Sequence, residues 1–110
     1  MSELVLYIEK EKFLRQLLEG VFKAKNAKIH TEDGIQDKFY LIEDLKPSII
    51  IVDLETVNEN EIQTLYSYQS IKLIATAKNE YPHIDMTKFS KIIKKPLVVA
   101  TIFEQIFSNN

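Results

Sequence analysis

Hydrophobic residues in this chain follow two rhythms that take turns. Short apolar runs occur at "LVLYI" (4–8), "SIIIVD" (48–53), "IKLIATA" (71–77) and "KIIK" (91–94). The first three lack the every-second-residue polarity of a half-exposed strand, so they fit strands covered on both faces, as in the middle of a parallel sheet. A more polar run, "AKIHT" (27–31), fits an edge strand.

The other rhythm is helical. "EKFLRQLLEGVFKAK" (11–25) puts Phe13, Leu14, Leu17, Leu18, Val21 and Phe22 on one stripe. Gly34 followed by Ile35, Phe39, Ile42 and Leu45 predicts a second amphipathic helix that ends before Pro47. "NEIQTLYSY" (60–68) predicts a weaker third helix. "PLVVATIFEQIF" (96–107) predicts a closing one, with Pro96 near its entry and Val99, Ile102, Phe103 and Ile106 facing inward. "NEYPHIDMTKF" (79–89) holds Pro82 and little apolar periodicity, which predicts a loop or a short, irregular helix. Strands and helices in this alternation predict an α/β fold, a doubly wound five-stranded parallel sheet.

Composition narrows the function. A length of 110 residues predicts one domain, 1–110, with a core that needs no disulfide or metal staple. The absence of cysteine removes thiol catalysis and cysteine-ligated metal sites. A formal net charge of −2 and only short basic clusters, "KAKNAK" (23–28) and "KIIKK" (91–95), argue against nucleic acid as a partner. Apolar runs far shorter than a membrane span, and an acidic start where a secretory signal would be apolar, lead to the expectation of a cytoplasmic protein without a membrane partner. The loop after the first strand, "EKEKF", has no hydroxyl- and glycine-rich phosphate cradle, which argues against a flavodoxin-like electron carrier.

The candidate chemistry sits at the ends of the strands. In an open parallel sheet, loops at the carboxyl edge converge where strand order reverses, and ligands collect there. Asp53 ends the third strand, and Glu9 follows the first. Thr76 lies near the end of the fourth, and Lys95 with Pro96 follows the fifth. Each has a plainer reading as a cap, loop acid or solvated lysine, but all four fall on the same sheet edge. His30 and His83 lack partners at metal-ligand spacing and read as ordinary edge-strand and loop residues.

In order and spacing, "LVLYIEKE", "TEDG" (31–34), "LKPSIIIVDL", "ATA" (75–77) and "KKP" (94–96) resemble a response-regulator receiver domain over nearly the whole length. The resemblance implies a flavodoxin-like, CheY-like (βα)5 fold with strand order 2-1-3-4-5. It implies that Asp53 is the phosphoacceptor for a histidine kinase, that Thr76 and Lys95 contact the phosphoryl group, and that the Lys95–Pro96 bond is cis. It also implies a Mg²⁺ ion held by Glu9, Asp53 and Glu55. Such an ion and such a lysine are what the chemistry asks for, because a carboxylate attacking a phosphoryl group brings negative charge against negative charge. Cytoplasmic signalling by contact with a histidine kinase or another signalling protein follows, and a homodimer is compatible with it.

The chain departs from the family at four points. Lys10 stands where the second acid of the first loop is usual, "LETVNENE" (54–61) lacks the methionine-proline pair and the Asp-Gly, the segments around the third and fourth helices are short, and Ile92 stands where a switching aromatic is common. A cation beside the metal site predicts weak Mg²⁺ binding, weaker still if the Lys10 ammonium turns toward Asp53. Two functions therefore remain: a stand-alone phosphorylatable receiver that signals through protein contacts and is not an enzyme, and a pseudo-receiver adaptor that is never phosphorylated.

Overall fold

The isoleucine-rich run at the centre of the chain forms the centre of the sheet. The structure, a computed structural model, describes residues 3–108. Its elements are β1 (Leu4–Ile8), α1 (Lys12–Ala24), β2 (Lys28–Glu32), α2 (Tyr40–Leu45), β3 (Ile49–Asp53), α3 (Glu59–Tyr66), β4 (Lys72–Ala77), a single 3-10 turn (Met86–Lys88), β5 (Lys91–Lys94) and α4 (Ile102–Phe107). All strand pairs are parallel and the order is β2-β1-β3-β4-β5. That is the predicted doubly wound sheet with its implied order, and the polar β2 lies at an edge as expected.

Both faces of the sheet are covered, which is why β1 and β3 need no polar alternation. On one face Val5, Tyr7, Ile49, Ile51, Ile74 and Ile93 pack with Leu18 and Phe22 of α1 and Ile102 and Ile106 of α4. On the other, Leu6, Ile8, Ile50, Val52 and Ala75 pack with Ile42 of α2 and Ile62 and Leu65 of α3. Phe22 anchors the first face, edge-on to Phe103 with ring centroids 5.2 Å apart and 6.0 Å from Phe107. Burying such a side chain fully contributes about 1.5–3 kcal/mol.

Four expectations are corrected. The second helix is six residues long and starts only at Tyr40. Asp37, at φ 62°, is left-handed and breaks any helix running in from Gly34. Ile35 is nevertheless buried, from a loop, so its apolar character reports tertiary packing and not helical phase. The closing helix is likewise six residues and starts at Ile102. The segment before it is rich in β-branched Val98, Val99 and Thr101, which lower helix propensity, and it is held as turns in which the Val98 carbonyl accepts from the Thr101 and Ile102 amides. Val99, expected to face inward, is 54% exposed. Phe13, expected on the α1 stripe, is 72% exposed at the amino-terminal end of that helix. The irregular 79–89 segment is as predicted, with one 3-10 turn as its only regular element among the described residues.

Candidate functional site

Register brings the strand ends together. Asp53 pairs with Thr76 across β3 and β4, and Ile8 pairs with Val52, so Glu9, one residue on, lies beside Asp53. Two backbone bonds extend the pairing beyond the strands: the Glu9 amide donates to the Glu32 carbonyl, and the Lys95 amide donates to the Ala77 carbonyl, both at 2.9 Å. The second bond places Lys95 at the same edge. The Lys95–Pro96 peptide bond is cis.

Glu9, Asp53, Thr76 and Lys95 therefore form one buried cluster. The Lys95 ammonium lies 2.7 Å from Glu9 Oε1 and 2.7 Å from Asp53 Oδ1. Thr76 Oγ1 donates to the same Asp53 Oδ1 at 3.1 Å. Glu9 is 0% and Asp53 1% exposed, so neither is a solvated loop acid. Two carboxylates and one ammonium leave a formal charge of −1. Burial alone pushes the Lys95 pKa down, but the hydrogen bonds and charges of Asp53 and Glu9 outweigh it and hold the ammonium above the ordinary lysine range.

Three further residues complete the cluster, and nothing in the sequence pattern marks them. Thr56 Oγ1 donates to Asp53 Oδ2 at 2.9 Å and accepts from the Lys10 amide at 2.9 Å. The Tyr7 hydroxyl donates to Glu9 Oε1 at 3.3 Å. Burial first, and then the Glu9 charge, push the Tyr7 phenol far up, so it stays a donor. Arg15 Nη1 donates to the Glu9 and Lys10 carbonyls at 2.8 and 2.9 Å and closes the first loop onto α1. Arg15 sits one turn into the helix on its part-buried side, and Thr56 follows Asp53 by three residues. Only the turn geometry after β3, where the Thr56 amide donates to the Asp53 carbonyl at 3.0 Å, shows that its hydroxyl reaches back.

The remaining predicted ligands lie apart. Glu55 is exposed, and its Oε2 accepts from Asn79 Nδ2 at the long distance of 3.5 Å. Lys10 is exposed and its ammonium makes no ion pair among the described residues, so it is not turned onto Asp53. Magnesium asks for near-octahedral oxygen coordination with one or two free carboxylates. The two buried carboxylates here already share an ammonium, the usual third acid is Lys10, and among the described residues no three acids or histidines converge. The donor set does not make up a magnesium site.

The fold is that of response-regulator receiver, CheY-like domains. Among solved structures, a CheY-like receiver domain protein of Methanospirillum hungatei JF-1 aligns over 96% of this chain and 91% of its own, with a TM-score of 0.82 at 10% identity. A LuxR-family DNA-binding response regulator of Staphylococcus aureus aligns over 98% and 99%, at 0.77 and 21% identity. The BeF3-activated N-terminal receiver domain of Klebsiella pneumoniae RstA aligns over 94% of each chain, at 0.78 and 11%. No family model and no curated protein matches the sequence. No helix among the described residues is long and apolar enough to cross a membrane.

Proposed function

We propose that the chain is a receiver-like signalling domain of a two-component phosphorelay, spanning residues 1–110, with Asp53 as its phosphoacceptor. The observation that carries this reading is the placement of Lys95 and Thr76 on one oxygen of Asp53, Oδ1, with both distances in hydrogen-bond range. Transfer of a phosphoryl group to a carboxylate needs neutralisation of the charge that crowds the approach, and a positioned lysine supplies it as a point charge. Lys95 is that charge here. Oδ1 already holds two partners, so the oxygen with an unused lone pair is Oδ2.

On this reading phosphorylation is slow and depends little on magnesium, because Lys10 stands where a ligand would and Lys95 supplies the neutralising charge. Output goes through contacts with a histidine kinase or another signalling protein, and the domain acts as a switchable partner, not as an enzyme turning over a substrate. The test is incubation with a small phosphodonor such as acetyl phosphate, read by intact mass, beside Asp53→Asn. Uptake of one phosphoryl group by the wild type and none by the variant supports the assignment; equal uptake by both refutes it.

One observation favours a second reading. Asp53 is only 1% exposed and both of its oxygens carry protein partners, which suits a polar cluster kept for the fold in a pseudo-receiver adaptor. No uptake under any condition selects that reading.

A further inference from the structure

Thr56 joins two loops through one hydroxyl. It donates to Asp53 Oδ2 at 2.9 Å, accepts from the Lys10 amide at 2.9 Å, and is half-buried in the turn that follows β3. Among the described residues it is the only protein group on Oδ2, whereas Oδ1 is shared by Lys95 and Thr76. Whatever forms a bond to Asp53 at its free lone pair does so on the oxygen that Thr56 holds.

We propose that Thr56 is a positioning residue that times the modification of Asp53, slowing its formation and hastening its loss. The proposal deepens the phosphoacceptor reading and rests on it. In loading from acetyl phosphate, a bond forms between Oδ2 and phosphorus, the bond from phosphorus to the acetate oxygen breaks, and acetate leaves with the electron pair. Oδ2 changes from a charged carboxylate oxygen to the bridging oxygen of an acyl phosphate, a far poorer acceptor. The Thr56 hydrogen bond is therefore stronger before the reaction than after it, which opposes attack. In the reverse sense, water attacks phosphorus, the Oδ2–phosphorus bond breaks, Asp53 leaves with the electron pair, and the water proton passes to solvent. Charge then builds on Oδ2, and the same hydroxyl stabilises it. Because Thr56 also holds the Lys10 amide, the first loop is fixed in register with Oδ2 and the hydroxyl cannot swing away without releasing that amide.

The test is Thr56→Val, which keeps the β-branched shape and removes the hydroxyl, beside Thr56→Ser, which keeps the hydroxyl and serves as the conservative rescue. Lys10 is exposed, so water replaces the lost partner of its amide, and because Asp53 Oδ2 loses its only protein donor, a urea unfolding curve for each variant checks that it is folded under the conditions of the assay. Loading and decay are followed by intact mass with acetyl phosphate and, after its removal, in buffer. Thr56→Val is expected to load about tenfold faster and decay about tenfold more slowly, the size of one hydrogen bond to a charged oxygen, while Thr56→Ser stays near wild type. Separately, the Asp53 Cγ and Lys10 amide resonances should move in Thr56→Val and stay near their wild-type positions in Thr56→Ser. Wild type and Thr56→Val loading and decaying alike overturns the timing role and leaves the acceptor reading standing. Loading in none of the proteins overturns the acceptor reading itself, and the timing role with it. Unmoved resonances in Thr56→Val overturn the bridge.

Discussion

Replacing Lys95 by Met removes one charge from a buried set of three and keeps most of the side chain's length. At 2.7 Å from each of two carboxylate oxygens, the ammonium has a gross attraction of about 6 kcal/mol per pair at an effective dielectric of 20. Most of that offsets the cost of taking three charges out of water, so it is not the net effect. The net effect follows from what remains: Glu9 and Asp53, 0% and 1% exposed, left side by side as like charges without a cation. Breaking a buried pair by removing one partner costs about 3–5 kcal/mol, a large share of the roughly 5–15 kcal/mol that holds a domain folded. The assay is urea unfolding at about pH 7, where a lower midpoint at unchanged slope reports lost stability. Adding Glu9→Gln and Asp53→Asn should recover much of it, which shows that the burden is the stranded charge and not lost packing. A cost below about 1 kcal/mol, or no recovery when both acids are neutralised, would refute the reasoning.

Further outcomes follow from the same geometry. Lys10→Asp changes the local charge by −2 and supplies the oxygen ligand that the first loop lacks, so calorimetric titration should show Mg²⁺ affinity rising by at least about tenfold over wild type; equal affinity in both refutes the role given to Lys10. Asn58→Ala removes one half of the capping box that Asn58 and Glu61 make at the start of α3, and should cost about 1 kcal/mol in denaturant unfolding. In alkaline solution the folded state holds protons on Tyr7 and Lys95 more tightly than the unfolded chain does. Their contributions are complete below the ordinary values of 10.0 and 10.5 and are lost as pH rises through the higher folded-state values. Stability should fall above those values, and less steeply in Tyr7→Phe and in Lys95→Met.

How much of this was legible depended on what kind of signal each element carries. β1, β3 and β4 were readable because a strand covered on both faces leaves a short apolar run, and β5, an edge strand with Ile92 exposed, because its paired isoleucines are bounded by lysines. The cluster of Glu9, Asp53, Thr76 and Lys95 was readable because strand ends in a parallel sheet share an edge. α2 and α4 came out too long because Ile35 is apolar for a loop's burial and Val99 for no burial at all, and periodicity cannot separate these from a helical stripe. The capping box was written in "NENE" (58–61), with the acid three residues after the cap, and was missed because the segment has little apolar periodicity. Thr56, Tyr7 and Arg15 were out of reach for another reason. Their partners are fixed by side-chain direction and turn geometry after folding, and nothing in their spacing marks them.

On the proposed reading Asp53 accepts a phosphoryl group with Lys95, and not a tightly held metal, supplying the neutralising charge. The most direct measurement is the initial rate of phosphoryl uptake from acetyl phosphate by intact mass, with Mg²⁺ and with a chelator, for wild type and Asp53→Asn. Wild type should take up phosphoryl slowly, at a rate that changes only modestly with Mg²⁺, and Asp53→Asn should take up none. No uptake by wild type in either condition, or uptake that collapses when Mg²⁺ is removed, would contradict it.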